Sequence, residues 1–158
     1  MHSRIIELTP NPLDREDWAG EDCFYDDEKV DYVSELDDDE RRESIEDFQD
    51  DEDPFFSGLF TPGECDTIVF KGKDALMKVH KEWISSIKRE TDDLMESGRF
   101  SPYLVTQATN QVLHSDYLFC LPDWTGCSAE YPSELLSWLN TLEDGAVLHI
   151  GAVIDYHY

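Results

Sequence analysis

Four short apolar runs along this chain have the character of β-strands. They are rich in β-branched and aromatic residues, and Pro10, Gly72 and Pro122 follow the first three, as expected where strands end. The runs cover residues 3–8, 67–71, 116–121 and 146–155. We expect these four segments to form one sheet.

A longer apolar period predicts helices between the later strands. Within residues 73–97, Leu76, Trp83 and Ile87 recur at spacings of seven and four, which places them on one helix face. Gly98 suits the end of this helix. We expect the helix to pack on a face of the sheet through these three residues. Two further helices are predicted at 102–113 and 132–142.

The segment after the first strand is predicted to contain two short helices. The first covers residues 28–36, with Val30, Tyr32 and Val33 facing inward. Its apolar residues are few, so its position depends on these three side chains.

The second short helix is predicted at residues 38–49, with Ile45 and Phe48 facing inward. Either Asp37 or Asp38 can serve as its N-cap, because aspartate accepts hydrogen bonds from the first free amides of a helix. Pro54 is expected to end the helical region. An apolar loop is predicted after it, at residues 55–62.

This order of elements predicts an α+β fold. One domain over residues 1–158 would hold a small, about four-stranded, sheet packed against helices, with an acidic helical insertion after the first strand. A chain of 158 residues with 40% hydrophobic residues has enough apolar material for one core.

Charge narrows the classes of partner. The chain has 37 acidic and 12 basic residues, a net charge of −25. Residues 14–53 alone hold 21 acids and four bases, a net charge of −17. Such a surface repels phosphate, which excludes nucleic acid and anionic membranes as direct partners, and it attracts basic protein surfaces.

The compartment is predicted to be the cytoplasm. The first residues form no signal-peptide-like apolar stretch, and no apolar run reaches the length of a membrane span. The four cysteines form no CxxC pair, so we expect reduced thiols.

No motif predicts a cofactor, a metal or a catalytic centre. An EF-hand loop starting at Asp37 would have Arg42 where the chain needs glycine. His114, Cys120 and Cys127 lack the spacing of a zinc site. His80 lies on the apolar face of the long helix, where a core histidine is the ordinary interpretation.

Cys127 is the one candidate nucleophile. Its loop, TGCSAE, suggests an accessible thiol, and His149 or His157 with Asp155 could approach it. Cys120 lies within an apolar strand and is expected to be a small buried residue.

The acidic residues of positions 37–53 are the predicted partner-binding site. Acids three and four residues apart share one helix face. The six acids of the second helix lie over about 15 Å, a density of the same order as that of phosphates along duplex DNA. Arg41 and Arg42 dilute it to a net of four charges, and the acids at 50–53 restore it. The predicted binding residues are Asp37, Asp38, Asp39, Glu40, Glu43, Glu46, Asp47, Asp50, Asp51, Glu52 and Asp53.

Four apolar residues follow this acidic run directly. They are either core residues that fix its end or exposed anchors beside a charged rim, and burial is favoured. These residues are Phe55, Phe56, Leu59 and Phe60.

Both ends of the chain resemble a loose group of small acidic proteins from gut bacteria and their mobile elements. The resemblance is carried by MHSRIIEL at the start, HIGAVIDYHY at the end and DYVSEL at residues 31–36. This group has no assigned activity, so the resemblance implies no functional residue. It implies a bacterial or phage cytoplasm and favours a role in conflict between host and mobile element.

Three functions are consistent with these observations. The first is a non-enzymatic acidic protein that binds a basic protein surface, including the case of a nucleic-acid mimic that inhibits a host nucleic-acid-binding or defence enzyme. The second is a small interaction or scaffold domain whose acidity serves solubility only. The third is an enzyme with a site near Cys127.

Overall fold

A mixed β-sheet forms the centre of the molecule. The computed structural model describes residues 2–50, 52–99, 101–109, 117–122 and 127–157. Six strands lie in this part of the chain. They are β1 His2–Thr9, β2 Tyr32–Glu35, β3 Phe60–Pro62, β4 Thr67–Phe70, β5 Tyr117–Cys120 and β6 Val147–His157.

The longest strand, β6, organises this sheet. β1 runs antiparallel along one side of β6 and is parallel to β5 on its other side. On the opposite side of β6, β4 pairs with its start and β2 with its end. β3 completes the order β3-β4-β6-β1-β5. β6 is apolar over most of its length, as expected for a strand covered on both faces.

A β-bulge interrupts the pairing of β1 with β6. Ile6 lies opposite Val153 and Leu8 opposite Ile150, so Glu7 faces two residues of β6, Gly151 and Ala152. A Cβ at position 151 would lie 2.2 Å from Oε2 of Glu7. A side chain here would displace the Glu7 carboxylate, which the amides of Ala19 and Ala152 hold in place.

Five α-helices and two short 3-10 helices, Arg15–Asp17 and Glu21–Phe24, accompany the sheet in the described residues, and two hydrophobic cores join them to it. The α-helices in the described residues are α1 Asp38–Phe48, α2 Pro54–Leu59, α3 Lys73–Ser97, α4 Pro102–Thr109 and α5 Pro132–Leu139. The larger core joins residues of α1, α2, α3 and α5 to the sheet. A smaller core holds Phe24, Val33 and Ala129. None of the described helices has the length and apolar character needed to cross a bilayer.

The α+β fold is confirmed, and the sheet is larger than predicted. The four predicted strands all belong to one sheet, although Asp116, at the start of the third, lies outside the described residues. β2 and β3 add to it. The predicted helix at 102–113 is described to Thr109. The helix predicted at 132–142 ends at Leu139.

The helix predicted at residues 28–36 is wrong. Tyr32–Glu35 form β2, which pairs antiparallel with the end of β6. Val33 is buried, but Tyr32 is 58% exposed rather than facing inward. A free edge on β6 decides this outcome, because the hydrogen bonds that it offers outweigh the weak helical pattern of so short a segment.

The loop predicted at residues 55–62 is also wrong. Asp53 caps α2 by accepting a hydrogen bond from the Phe55 amide at 2.8 Å, and Pro54 occupies the first turn. Proline is well tolerated there because its missing N–H would have no partner in the helix. The helix leads directly into β3. The burial expected for the four apolar residues after the acidic run is confirmed: these are Phe55, Phe56, Leu59 and Phe60.

The long helix predicted at 73–97 is confirmed residue for residue as α3. Gly98 follows it at φ 61°, the left-handed conformation that glycine favours at helix ends. Leu76 enters the larger core and Trp83 packs against it, while Ile87 is half-buried. The neighbours of α3 are chiefly α2, α4 and α5, so other helices provide most of its packing.

Candidate functional site

The acidic helix α1 begins at a capping box. The Asp37 carboxylate accepts hydrogen bonds from the amides of Asp39 at 3.0 Å and Glu40 at 2.9 Å. The Glu40 side chain accepts in return from the Asp37 amide at 3.2 Å. Of the two predicted N-caps, Asp37 therefore takes the role. The acids of the first turn also lie at the positive end of the helix dipole, where they stabilise the helix.

Two apolar residues dock α1 on the sheet, as predicted. Ile45 and Phe48 are buried in the larger core. The Phe48 ring packs edge-on against Tyr117, with centroids 5.0 Å apart, and against Phe56, at 5.2 Å. Ser44 is buried beside them and accepts a hydrogen bond from Arg4.

Docking through this face turns the acids of α1 toward solvent. All the predicted binding residues that the structure describes are exposed except Asp53, which is half-buried as the cap of α2; Asp51 lies outside the described residues. At about 100° per residue, Asp39, Glu43 and Glu46 lie on the side of the helix opposite Phe48, whereas Asp38 and Asp47 lie about 80° and 100° from it on the two flanks. That these acids form one stripe that a partner reads stays a prediction.

Two arginines neutralise the first turn of α1. An ion pair of 2.6 Å joins Arg15 to Asp38, and one of 2.5 Å joins Arg42 to Asp39. The hydrogen bond from the Arg15 guanidinium, followed by its charge, lowers the pKa of the Asp38 carboxyl. All four side chains are largely exposed, so each pair stabilises the fold little.

The third arginine, Arg41, turns inward and was not predicted. Its guanidinium lies 4.3 Å above the Trp18 ring and forms a 2.6 Å ion pair with Asp66. It also donates to the carbonyls of Ile150 and Gly151 at 2.9 and 2.7 Å. These carbonyls lie on the stretch of β6 between its pairings with β4 and β2. Arg41 thus supplies hydrogen-bond donors to the part of the β6 edge that lies between β4 and β2.

The second half of the acidic segment keeps its charge. Within the described part of the chain, no Lys or Arg forms an ion pair with five of its exposed acids. Glu46 and Asp47 lie in the last turn of α1, which has no basic residue. We call these five residues the acidic face: Glu43, Glu46, Asp47, Asp50 and Glu52.

The residues considered for catalysis do not meet around Cys127. The Cys127 thiol is half-buried and borders a cleft of about 340 Å3 whose described lining contains no histidine. His149 borders a different cleft, beside Cys65, and His157 lies 3.9 Å from Asp155. Cys120 is buried, as predicted. His80 is half-buried and packs edge-on against Trp83 beside α5.

The same cleft brings together residues that the sequence keeps far apart. Glu7, Cys23, Cys120 and Cys127 all line it. Glu7 is buried and accepts hydrogen bonds from the amides of Ala152 at 2.7 Å and Ala19 at 3.2 Å. A charged residue within the apolar run of β1 was the one sequence signal for Glu7.

No metal centre is visible in the described residues, where no group of three or more His, Cys, Asp and Glu is arranged to hold an ion. His114, a member of the zinc set considered above, lies outside them.

Comparison with protein-family models, with curated proteins and with solved structures gives no significant match to this chain.

Proposed function

We propose that this protein is a non-enzymatic binding protein whose acidic face engages a basic protein surface. The observation that carries the proposal is the group of exposed carboxylates at the end of α1 that no described Lys or Arg neutralises. Opposite charges across an interface speed association and select the partner.

A nucleic-acid-binding protein is the narrower form of this proposal. Duplex DNA has one charge per ~1.7 Å along its axis. α1 has six acids over ~15 Å, and Arg15 and Arg42 pair with two of them, which leaves one unpaired acid per ~4 Å. Arg41 does not dilute this surface, because its guanidinium is turned toward Trp18 and β6. A groove that binds phosphates would meet unpaired carboxylates at about half the density of duplex DNA.

The position of Glu46 and Asp47 favours binding over mere solubility. Both lie in the last turn of α1, at the negative end of the helix dipole. Each acid there lowers the stability of the helix by about 0.3–1 kcal/mol. Charge that served only solubility could lie anywhere on the surface. A partner that reads this particular surface explains why the chain keeps acids where they oppose its own stability.

Reversing charge on the acidic face should abolish partner binding. We expect Glu43→Lys with Glu46→Lys to weaken capture of a basic partner on the order of 100-fold at low salt, because repulsion replaces attraction. The fold should not be destabilised, since both side chains are exposed and a cation at position 46 suits the negative end of the helix dipole. The measurement is capture from a lysate of the producing cells, with bound proteins quantified by mass spectrometry at low and high salt.

Asp93→Lys with Glu96→Lys is the matched control. These acids are exposed on α3 at the same spacing of three, so the net charge changes equally on another surface. The control should bind like the wild type. Equal binding by both double variants would refute the proposal and leave solubility as the role of the acids. Added duplex DNA should displace the partner if it is a nucleic-acid-binding protein.

Neutralising the last turn of α1 should stabilise the fold. We expect Glu46→Gln with Asp47→Asn to raise the free energy of unfolding by about 0.5–2 kcal/mol at low ionic strength, because two unfavourable dipole interactions are removed. Urea unfolding followed by tryptophan fluorescence measures this change, and high salt should reduce it. An unchanged or lowered stability would contradict the conflict between charge and dipole.

A further inference from the structure

Three thiols from distant parts of the sequence converge in one cleft. Sγ of Cys120, at the end of β5, lies 2.8 Å from Sγ of Cys127, closer than unbonded sulfur atoms normally approach. Cys23 lines the same cleft as these two residues, and its thiol interacts with that of Cys127. A disulfide has a sulfur separation of about 2.05 Å, so Cys120 and Cys127 need only a small movement to form one.

The surrounding backbone holds this arrangement. Phe119, beside Cys120, exchanges two backbone hydrogen bonds with Glu130, at 2.7 and 2.8 Å. The Ala129 amide donates to Asp27 at 2.8 Å. Cys23 precedes Phe24, which is fully buried in the smaller core. The residues around Cys127 and those around Cys23 both pack against the sheet, and this packing positions the three cysteines.

Exposure separates the three thiols. Cys120 is 5% exposed, Cys127 is half-buried and Cys23 is exposed. A reagent in the cleft would reach Cys127 before Cys120, and one in solution would reach Cys23. The three sulfur atoms thus lead from the surface to the core with Cys127 in the middle.

We propose that this cluster is a thiol–disulfide exchange site, in which Cys120 and Cys127 form an internal disulfide and Cys23 exchanges with it. The oxidant is a low-molecular-weight disulfide, RSSR. The Cys127 thiolate attacks one sulfur, forming a mixed disulfide and releasing RS⁻. The Cys120 thiolate then attacks Sγ of Cys127, forming the internal bond and releasing a second RS⁻. Two protons from the cysteines convert both products to RSH, so RSSR takes up the two electrons.

Cys23 provides the return path. Its thiolate can attack Sγ of Cys127, which creates a Cys23–Cys127 disulfide and releases the Cys120 thiol. That second disulfide includes the exposed residue, where an external thiol can reduce it. An otherwise shielded disulfide thus becomes accessible through one internal exchange.

The environment of the thiols favours slow formation and a stable disulfide. Burial, followed by the hydrogen bond to Cys127, raises the pKa of Cys23 to about 11. The hydrogen bond with Cys120, burial and the charge of Glu7 raise the pKa of Cys127. Few thiolates exist at neutral pH, so attack is slow. The reduced form is also not stabilised by ionisation, which lowers the reduction potential of the pair.

Oxidation of the reduced full-length protein with oxidised glutathione tests this site. We expect two of its four thiols to be lost, the mass to fall by two hydrogens, and peptide mapping to find a Cys120–Cys127 bond. The melting temperature should rise by roughly 5–10 °C, because a closed short loop restricts the unfolded chain. Alkylation after an acid quench, followed by mass spectrometry, gives the pairing.

Three variants sharpen the test. Cys65→Ser removes an exposed thiol outside the cluster and should oxidise like the wild type. Cys120→Ser should retain the mixed disulfide or pair Cys23 with Cys127, without the rise in melting temperature. Cys23→Ser should form the internal disulfide but be reduced several-fold more slowly by glutathione. Independent glutathionylation of all four thiols, or stoichiometric zinc that protects the three clustered thiols, would overturn the proposal.

Discussion

Replacing Phe48 by alanine should lower the free energy of unfolding by about 3–5 kcal/mol. The ring is fully buried and lies within 5.2 Å, centroid to centroid, of both Tyr117 and Phe56. Its removal leaves a cavity that rigid aromatic neighbours fill poorly. It also removes the larger of the two apolar contacts that dock α1, so the acidic face should lose its fixed orientation.

Urea unfolding measures this effect, and Tyr103→Ala is the control. Tyr103 is an aromatic residue of α4 that is 69% exposed, so its loss should change stability by less than about 1 kcal/mol. Phe48→Leu keeps most of the volume and should cost much less than alanine. A loss at Phe48→Ala no larger than that at Tyr103→Ala would contradict the docking of α1 described here.

Replacing Arg41 by alanine should lower the free energy of unfolding by about 2–4 kcal/mol, far more than the same change at Arg42. Arg41 is 12% exposed and donates to two carbonyls of β6, which would lose these hydrogen bonds in a partly buried position. Arg42 is 66% exposed and pairs with an exposed aspartate, so its removal should cost at most about 0.5 kcal/mol. The two variants have the same change in charge.

Thermal and urea unfolding of both variants provide the comparison. Arg41→Lys should recover only part of the loss, because an ammonium group cannot reproduce the planar contacts of a guanidinium with two carbonyls and the Trp18 ring. Equal stabilities of Arg41→Ala and Arg42→Ala would show that β6 does not depend on Arg41 at this edge.

The elements that the sequence predicts well are those whose signals are local. Asp37 caps α1 and its two apolar residues lie three apart, so the helix and its orientation follow from adjacent residues. α3 is long and periodic, and Gly98 marks its end. In each case the pattern extends over enough residues to outweigh competing interpretations.

One of the two errors in secondary structure occurs where a distant partner decides the structure. Tyr32–Glu35 form a strand because β6 offers them an edge, and nothing within four residues can reveal this. For α2 the local signal was present but was interpreted in the wrong direction. Asp53 and Pro54 are suitable residues for the start of a helix, yet Pro54 was interpreted as the end of the preceding one.

The same distinction applies to the functional residues. Exposure of the acids on α1 follows from the burial of Ile45 and Phe48. Arg41 could have been found, because it lies four residues before Ile45 and seven before Phe48, on the inward face. The meeting of Cys23 with Cys120 and Cys127 has no sequence signal, since it depends on how two segments pack against the sheet.

The central place of β6 has a consequence for how this protein is made. β1 leaves the ribosome about 140 residues ahead of β6, its antiparallel partner. At about 5–20 residues per second, synthesis takes roughly 7–30 s to supply that partner. β2 and β4 are synthesised within this time, and they also lack the strand that joins them until β6 appears. The nascent chain must therefore keep three apolar strands apart, and its dense negative charge, which repels other nascent chains, suits that delay.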